Sequence, residues 1–356
     1  MTASYPRYRI DQSYDFNYEH APEPVQVEVP VVPGEWRFCG LPVDSPLGIP
    51  AGPLLNGRWV LYYASLGFDI LTYKTVRSRE RACYPMPNLV PVETEPLWGG
   101  ESELPATDAM HGSWAVSFGM PSKTPEVWRA DVEATRRALP RGKLLVVSVV
   151  ATEQEGWTLD DLAADYAQCA RWAVEAGADA VETNFSCPNV CSSDGSLYQS
   201  AASSAVVAAA VREAIGLVPY IIKIGRMTDE AAAQALIEAV EPYANALAMT
   251  NSIATKVRDD AGQLLFDGQQ RGICGRATLD ASLDQVALFH RITSQRARPL
   301  ELVGVGGAAT AEDVVRYLEA GASSVHLATA AMADPAVGLA IRRELPTLLS
   351  SAGLTR

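Results

Sequence analysis

The chain is predicted to fold as an α/β protein, a (β/α)8 barrel with an N-terminal extension and long loop insertions at the carboxyl ends of its strands. Three observations predict it. Eight short apolar runs recur along 356 residues. Stretches with apolar residues at three-to-four spacing lie between and after them, the pattern of amphipathic helices. The phrase EAGADAVETN returns as EAGASSVHLA, helix, glycine and strand in both. Continuous apolar strands alternating with helices make a parallel sheet covered by helices. Eight such units favour a closed barrel over an open sheet.

Residues 1–45, rich in Pro, Tyr and Glu, precede the first strand and are expected to wrap or plug the barrel bottom. The barrel is expected over 46–356, with strands at 47–51, 69–74, 144–150, 178–185, 220–224, 246–250, 300–305 and 324–329. Helices are predicted at 157–175, 201–215, 228–240, 279–293 and 310–320. Thr158 is placed as an N-cap, and Gly177 and Gly321 as stops. Two stretches break the alternation. Residues 77–124 carry Pro85, Pro87, Pro96, Pro105 and Pro121, and residues 251–278 include a hairpin signal at Asp260, Ala261 and Gly262. Long loops on a barrel's upper face are where substrate is enclosed.

Composition narrows the partners. Lys and Arg total 29 against 42 Asp and Glu, a net charge of -13. An acidic surface repels phosphate backbones and anionic lipid, so neither nucleic acid nor a membrane is expected as a partner. A polyanionic ligand needs a local positive site of its own. The segment MTASYPRYRIDQSYDFNYEHAPEP has no apolar stretch behind a basic head, so no signal peptide is expected there. Cys39, Cys83, Cys169, Cys187, Cys191 and Cys274 are scattered without a CxxC pair. Zinc and iron–sulfur sites are therefore not expected, no iron–sulfur partner subunit is indicated, and a cytoplasmic location fits the thiols.

The predicted strand ends carry the chemistry, because barrel active sites sit at that face. Ala51-Gly52, Lys74-Thr75, Ser148, Asn184, Lys223, Asn251-Ser252, Gly306-Gly307 and Ala328-Thr329 fall there. Lys223 inside Tyr-Ile-Ile-Lys-Ile and Lys74 after Ile-Leu-Thr-Tyr are read as buried, and a buried ammonium needs an anion or a lowered pKa. The alternative is a structural carboxylate beside each. Gly304-Val305-Gly306-Gly307, followed by Thr310 opening a helix, reads as a phosphate cradle of approachable backbone N–H groups. A tight turn is the plainer reading.

The segment Asn184-Phe185-Ser186-Cys187-Pro188-Asn189 resembles that of the dihydroorotate dehydrogenase family. The likeness continues through Ser45-Pro-Leu-Gly-Ile-Pro-Ala-Gly52, Thr72-Tyr-Lys-Thr75, Ser117-Phe-Gly-Met-Pro121, Tyr220-Ile-Ile-Lys-Ile-Gly225, Thr250-Asn-Ser252 and the Gly304–Gly307 turn. Cysteine in the strand-four motif is similar to the soluble class 1 branch. The resemblance implies bound FMN, a small-molecule substrate and a homodimer. It implies that Ala51 and Gly52 lie against the flavin, that Lys74 spans flavin and substrate, and that Asn184 and Lys223 contact the ring. It places Gly306, Gly307, Ala328 and Thr329 at the phosphate, and Thr75, Ser148, Ser252 and Gly275 along the cofactor. Cys187 is implied as the acid/base, with Phe118, Gly119, Met120, Asn184, Asn189, Asn251 and Ser252 around the substrate beside Lys74. An inert core thiol is the plainer reading of Cys187.

The pattern breaks in three places. The family's asparagine before Ser/Arg-Met-Gly is Val116 here, which leaves a polar substrate edge unpaired at about 1–3 kcal/mol. Ser148 stands where asparagine is frequent, and Ala328 replaces glycine. Cys191 has no counterpart, and Trp114 no assigned role. His111 is read either as a proton donor at the substrate or as a loop histidine. Arg77, Arg79 and Arg81 are read either as attracting a carboxylate or as a solvated run. The leading expectation is an FMN-dependent oxidoreductase acting on a CH–CH donor. The alternatives are a redirected dehydrogenase or ene-reductase on another amide or carbonyl compound, a Schiff-base aldolase using Lys223, and a silent ligand-binding barrel.

Overall fold

The computed structural model describes residues 5–186 and 193–354, without the side chains of residues 193–195. Eight parallel strands close a barrel in chain order: β1 (Leu47–Ile49), β2 (Ile70–Val76), β3 (Leu144–Val149), β4 (Ala180–Asn184), β5 (Tyr220–Lys223), β6 (Ala246–Met249), β7 (Glu301–Val305) and β8 (Ser324–His326). Each predicted run supplies one of them. β2, β3 and β4 are buried at every position, as expected of strands with barrel interior on one side and helices on the other.

The outer ring is α1 (Gly57–Ser65), α2 (Pro125–Ala138), α3 (Leu159–Glu175), α4 (Ala201–Ile215), α5 (Glu230–Val240), α6 (Leu279–Thr293), α7 (Ala311–Glu319) and α8 (Val337–Ser351). Thr158 and Thr310 each form a capping box, with Asp161 and Asp313 respectively. At the barrel's amino end Asp69 is fully buried and accepts from Lys143 at 2.5 Å and Arg342 at 2.8 Å. These bonds tie β2, the chain entering β3, and α8 at the face opposite the site.

The two irregular stretches are not loops. They build a five-stranded sheet, in the order Leu89–Pro91, Ser113–Val116, Arg271–Gly275, Ile253–Arg258 and Glu103–Pro105. The sheet has its own core of Val92, Leu97, Leu104, Ala115, Ile253, Val257 and Ile273. The expected hairpin is present, with Gly262 N–H donating to the Asp259 carbonyl at 2.9 Å. The N-terminal extension also differs from expectation. Its hairpin, Trp36–Phe38 with Leu41–Val43, does reach the barrel bottom, where Cys39 N–H meets Glu301 at 3.0 Å. The segment before it runs along α1 instead. Asn56 donates to the Tyr18 carbonyl at 2.7 Å and Ser65 accepts from Val25 N–H at 3.0 Å. Residues 8–18 therefore lie at the carboxyl face.

Candidate cofactor and active site

Two cations are held inside the barrel mouth. Lys74, on β2, is 5% exposed and its Nζ donates to the Gly52 carbonyl at 3.4 Å. Lys223, the last residue of β5, is 4% exposed and donates to the neighbouring Ala51 carbonyl at 3.4 Å. Both ammonium groups thus converge on one short piece of chain at the end of β1. A Cβ placed at Gly52 would have no atom within 4 Å, so the space above that chain is open.

A polar interior supports them. Glu182 on β4 is buried and its Oε1 has no hydrogen-bond partner among the described residues. Burial raises its pKa, and the charge of Lys223 opposes that shift. Thr75 and Ser148 share a hydrogen bond of 3.1 Å in the same interior. His326 on β8 is pushed down to about 3, first by burial and then by Lys223. It is therefore neutral in the folded protein at pH values where an unfolded histidine, near 6.5, takes a proton. Between those two values the unfolded chain binds more protons, so stability falls as pH drops, by about 1.4 kcal/mol per unit. Above pH 6.5 the contribution is complete. A His326→Gln variant is expected to lose this part of the acid sensitivity. Denaturant unfolding from pH 7 to pH 4 checks it; parallel curves for variant and wild type contradict it.

Residues expected on the substrate side lie near Lys74. The Phe118 ring lies 4.5 Å from its Nζ and the Tyr14 ring 5.2 Å. Tyr8 packs edge-on against Phe118 at 6.0 Å. Asn184 Nδ2 reaches Met120 Sδ at 3.4 Å, while its Oδ1 accepts from Ser186 N–H at 3.1 Å and from Asn251 Nδ2 at 3.3 Å. Asn251 Nδ2 also donates to the Ser186 carbonyl. Ser186 is thus tied on both sides immediately before Cys187. Met120 has a φ of 52°, a left-handed conformation that strains a non-glycine residue, and the strain sits at the site. Gly119 leaves room for the Tyr84 ring, which a Cβ would approach to 2.6 Å. Ser252 is buried beside Asn251. Val116 ends its strand in the accessory sheet, half-buried, and offers no polar group.

A cavity of about 370 Å³ opens next to these residues, lined by Gly275, Gly306, Gly307, Ala328 and Thr329 together with Asn251 and His326. The Gly306 carbonyl is fixed by Tyr317 Oη at 2.6 Å. Thr329 is buried, and its Oγ1 has no hydrogen-bond partner among the described residues, a donor waiting for an acceptor. Glycine backbone on one wall, this orphaned hydroxyl on another and the open space over Gly52 fit a flavin mononucleotide.

Several expectations change. Cys187, Asn189 and Cys191 lie outside the described residues. His111 is exposed on the rim of the glycine-lined cavity, at the predicted phosphate end and not beside Lys74. Arg77 is buried, donating to the Met120 carbonyl at 3.1 Å and to the Ala151 carbonyl, so it is not part of a solvated run and helps hold the chain around Met120. Arg79 is exposed and Arg81 pairs through its backbone with Ser122. Trp114 is buried in the accessory sheet. Tyr8, Tyr14 and Cys83 were not singled out by the sequence, yet they stand near Lys74. Burial pushes the Cys83 thiol up to about 11, with Lys74 pulling it down. The aromatic density of residues 5–18 was the available signal. Among the described residues no cluster could hold a metal, and no helix is long and apolar enough to cross a membrane.

Comparison with known proteins bears on this site. The profile described as dihydroorotate dehydrogenase matches residues 35–349. The chain is 30% identical over 357 residues to "Dihydroorotate dehydrogenase" of Dictyostelium discoideum, covering 94% of this chain and 96% of that one. It is 26% identical over 320 residues to "Dihydroorotate dehydrogenase B (NAD(+)), catalytic subunit" of Desulforudis audaxviator, covering 89% and 92%. In fold it is similar to the ligand-free enzyme structure from Eimeria tenella, with a TM-score of 0.76 at 18% identity over 96% of this chain and 94% of that chain.

Proposed function

Because the chain belongs to the dihydroorotate dehydrogenase family, we propose that it is an FMN-dependent oxidoreductase that takes hydride from a CH–CH bond beside a carbonyl or amide. Its relatives are named as oxidoreductases, which displaces the aldolase reading of Lys223. The observation that carries the proposal is the convergence of Lys74 and Lys223 on adjacent carbonyls, beside a glycine-walled cavity with a free Thr329 hydroxyl.

Gly275, Gly306, Gly307, Ala328 and Thr329 would hold the phosphate end. Ala51, Gly52, Thr75, Ser148, Asn184, Lys223 and Ser252 would border the ring. Bound FMN supplies the hydride acceptor. Lys223 places a positive charge where the ring's carbonyl edge would gather negative charge. Cys187 takes the proton from the substrate carbon adjacent to the one that loses hydride, and returns it in the reverse direction. A thiol with a reference pKa near 8.5 can do this when neighbouring donors support the thiolate. Lys74, Asn184, Asn189 and Asn251 orient the substrate, with Phe118, Gly119, Met120 and Ser252 as its walls. A cytoplasmic homodimer is the expected setting.

A second reading concerns the substrate alone. The Phe118 and Tyr14 rings beside Lys74 make one side of the pocket apolar, and Val116 brings no polar group where the family carries an asparagine. They favour a compound with fewer polar edges than dihydroorotate, because unpaired polar groups discriminate sharply. Anaerobic addition of dihydroorotate to the flavin-loaded protein tests between them. Bleaching within a turnover supports dihydroorotate; an unchanged spectrum favours the redirected substrate.

A further inference from the structure

The acidic chain, with its net charge of -13, has to attract a dianionic phosphate. Among the described residues that line the glycine-walled cavity, Arg276 is the one arginine or lysine. It directly follows Gly275 at the end of the accessory strand Arg271–Gly275, and its N–H donates to the Gly112 carbonyl at 2.8 Å, so its backbone is pinned to the sheet. Its Nη1 donates to Asp313 Oδ2 at 2.6 Å. Asp313 is itself held by the N–H groups of Ala309 at 3.0 Å and Thr310 at 3.2 Å. The pair is asymmetric: the Asp313 side chain is 4% exposed and that of Arg276 52%. One edge of the guanidinium is therefore fixed by a buried carboxylate, while Nε and Nη2 have no hydrogen bond among the described residues.

We propose that Arg276 is a phosphate ligand of the bound flavin nucleotide, held in place by Asp313 and carried by the accessory sheet. The assignment rests on the FMN reading above. A guanidinium with five donors can keep Nη1 on Asp313 and present its remaining N–H groups to phosphate oxygens. The site needs that charge, because Asp334 lies on the same cavity wall and would repel a phosphate. Asp313 also closes the capping box of α7, accepting from the Ala309 and Thr310 N–H groups just before the helix, so its carboxylate already offsets part of that positive end. The positive charge at the phosphate then comes from Arg276, with the neutral Thr329 hydroxyl as a second donor. His111 sits on the same rim, so two side chains of the accessory sheet and its connecting loop border the cofactor's tail.

The test compares FMN with riboflavin, which lacks the phosphate, on the full chain stripped of flavin, by quenching of flavin fluorescence. Arg276→Ala is expected to weaken FMN binding by about 10- to 100-fold, the range for a hydrogen bond to a charged group, with riboflavin binding unchanged. Arg276→Lys is expected to fall between, since lysine restores the charge without the fork. Unchanged riboflavin binding shows that the variant is folded. An FMN-to-riboflavin preference equal to wild type in Arg276→Ala overturns the assignment alone. A wild-type chain that binds neither flavin overturns the FMN reading and this assignment with it.

Discussion

Replacing Cys187 by alanine is expected to slow reduction of the bound flavin by its donor substrate on the order of 10²–10⁴-fold, the range for removing a positioned acid/base, while FMN stays bound. The expectation comes from how the preceding chain is held. Ser186 is fixed through its N–H by Asn184 and through its carbonyl by Asn251, and both asparagines stand at the mouth shared with Lys74 and Lys223. The last described residue before Cys187 is therefore held at the site. Removing the thiol takes away a proton acceptor and no named contact to the cofactor, so rate and binding separate. Cys187→Ser is expected to be slow as well, because a hydroxyl is a far weaker acid than a thiol. Stopped-flow reduction under anaerobic conditions reads the rate, and the flavin absorbance after gel filtration reads retention. A Cys187→Ala protein reduced at the wild-type rate would move the proton transfer to another group.

Gly275→Ala is expected to damage both stability and cofactor binding. Gly275 has φ 103° and ψ -158°, a region open essentially to glycine alone. A Cβ there would lie 2.1 Å from the Gly112 carbonyl oxygen, 2.9 Å from Ser113 Cα and 3.0 Å from Thr329 Cγ2. The first two neighbours are backbone and cannot rotate away. Relieving the clash means parting Ser113 from Gly275 where the accessory strands pair, at the cavity wall that carries Thr329. Backbone strain and overpacking each cost roughly 1–3 kcal/mol, so a total of about 2–6 kcal/mol is expected. The variant should melt well below wild type and lose its flavin on gel filtration. A yellow Gly275→Ala protein with a wild-type melting temperature would contradict the geometry given for this wall.

The barrel was legible because each of its strands is a local signal. A run such as Leu144–Val149 is apolar but for Ser148 since both of its faces are buried, and helices with capping residues such as Thr158 and Thr310 announce their own starts. The accessory sheet was not legible. Ser113–Val116 gains its meaning only by pairing with Arg271–Gly275, far away in the chain, and accessory strands of three or four residues, two of them ending in proline, carry no readable period. The same distance hid Tyr8 and Tyr14. Nothing local says that a proline-rich, tyrosine-rich extension climbs α1 and sets aromatic rings beside Lys74. The site's lysines and glycines were readable because a cation inside an apolar strand and a glycine pair at a strand end are anomalies in place. The roles of His111 and Arg77 were not, since each depends on which wall the surrounding chain forms.

FMN is expected to lie across the barrel mouth, its ring by Lys74 and Lys223 and its phosphate in the Gly306–Gly307 turn. The visible spectrum of the purified chain, with identification of whatever flavin heat releases from it, tests this most directly. A yellow protein that gives up FMN and takes it back after stripping is the expected result. A colourless chain that refuses added FMN would contradict it.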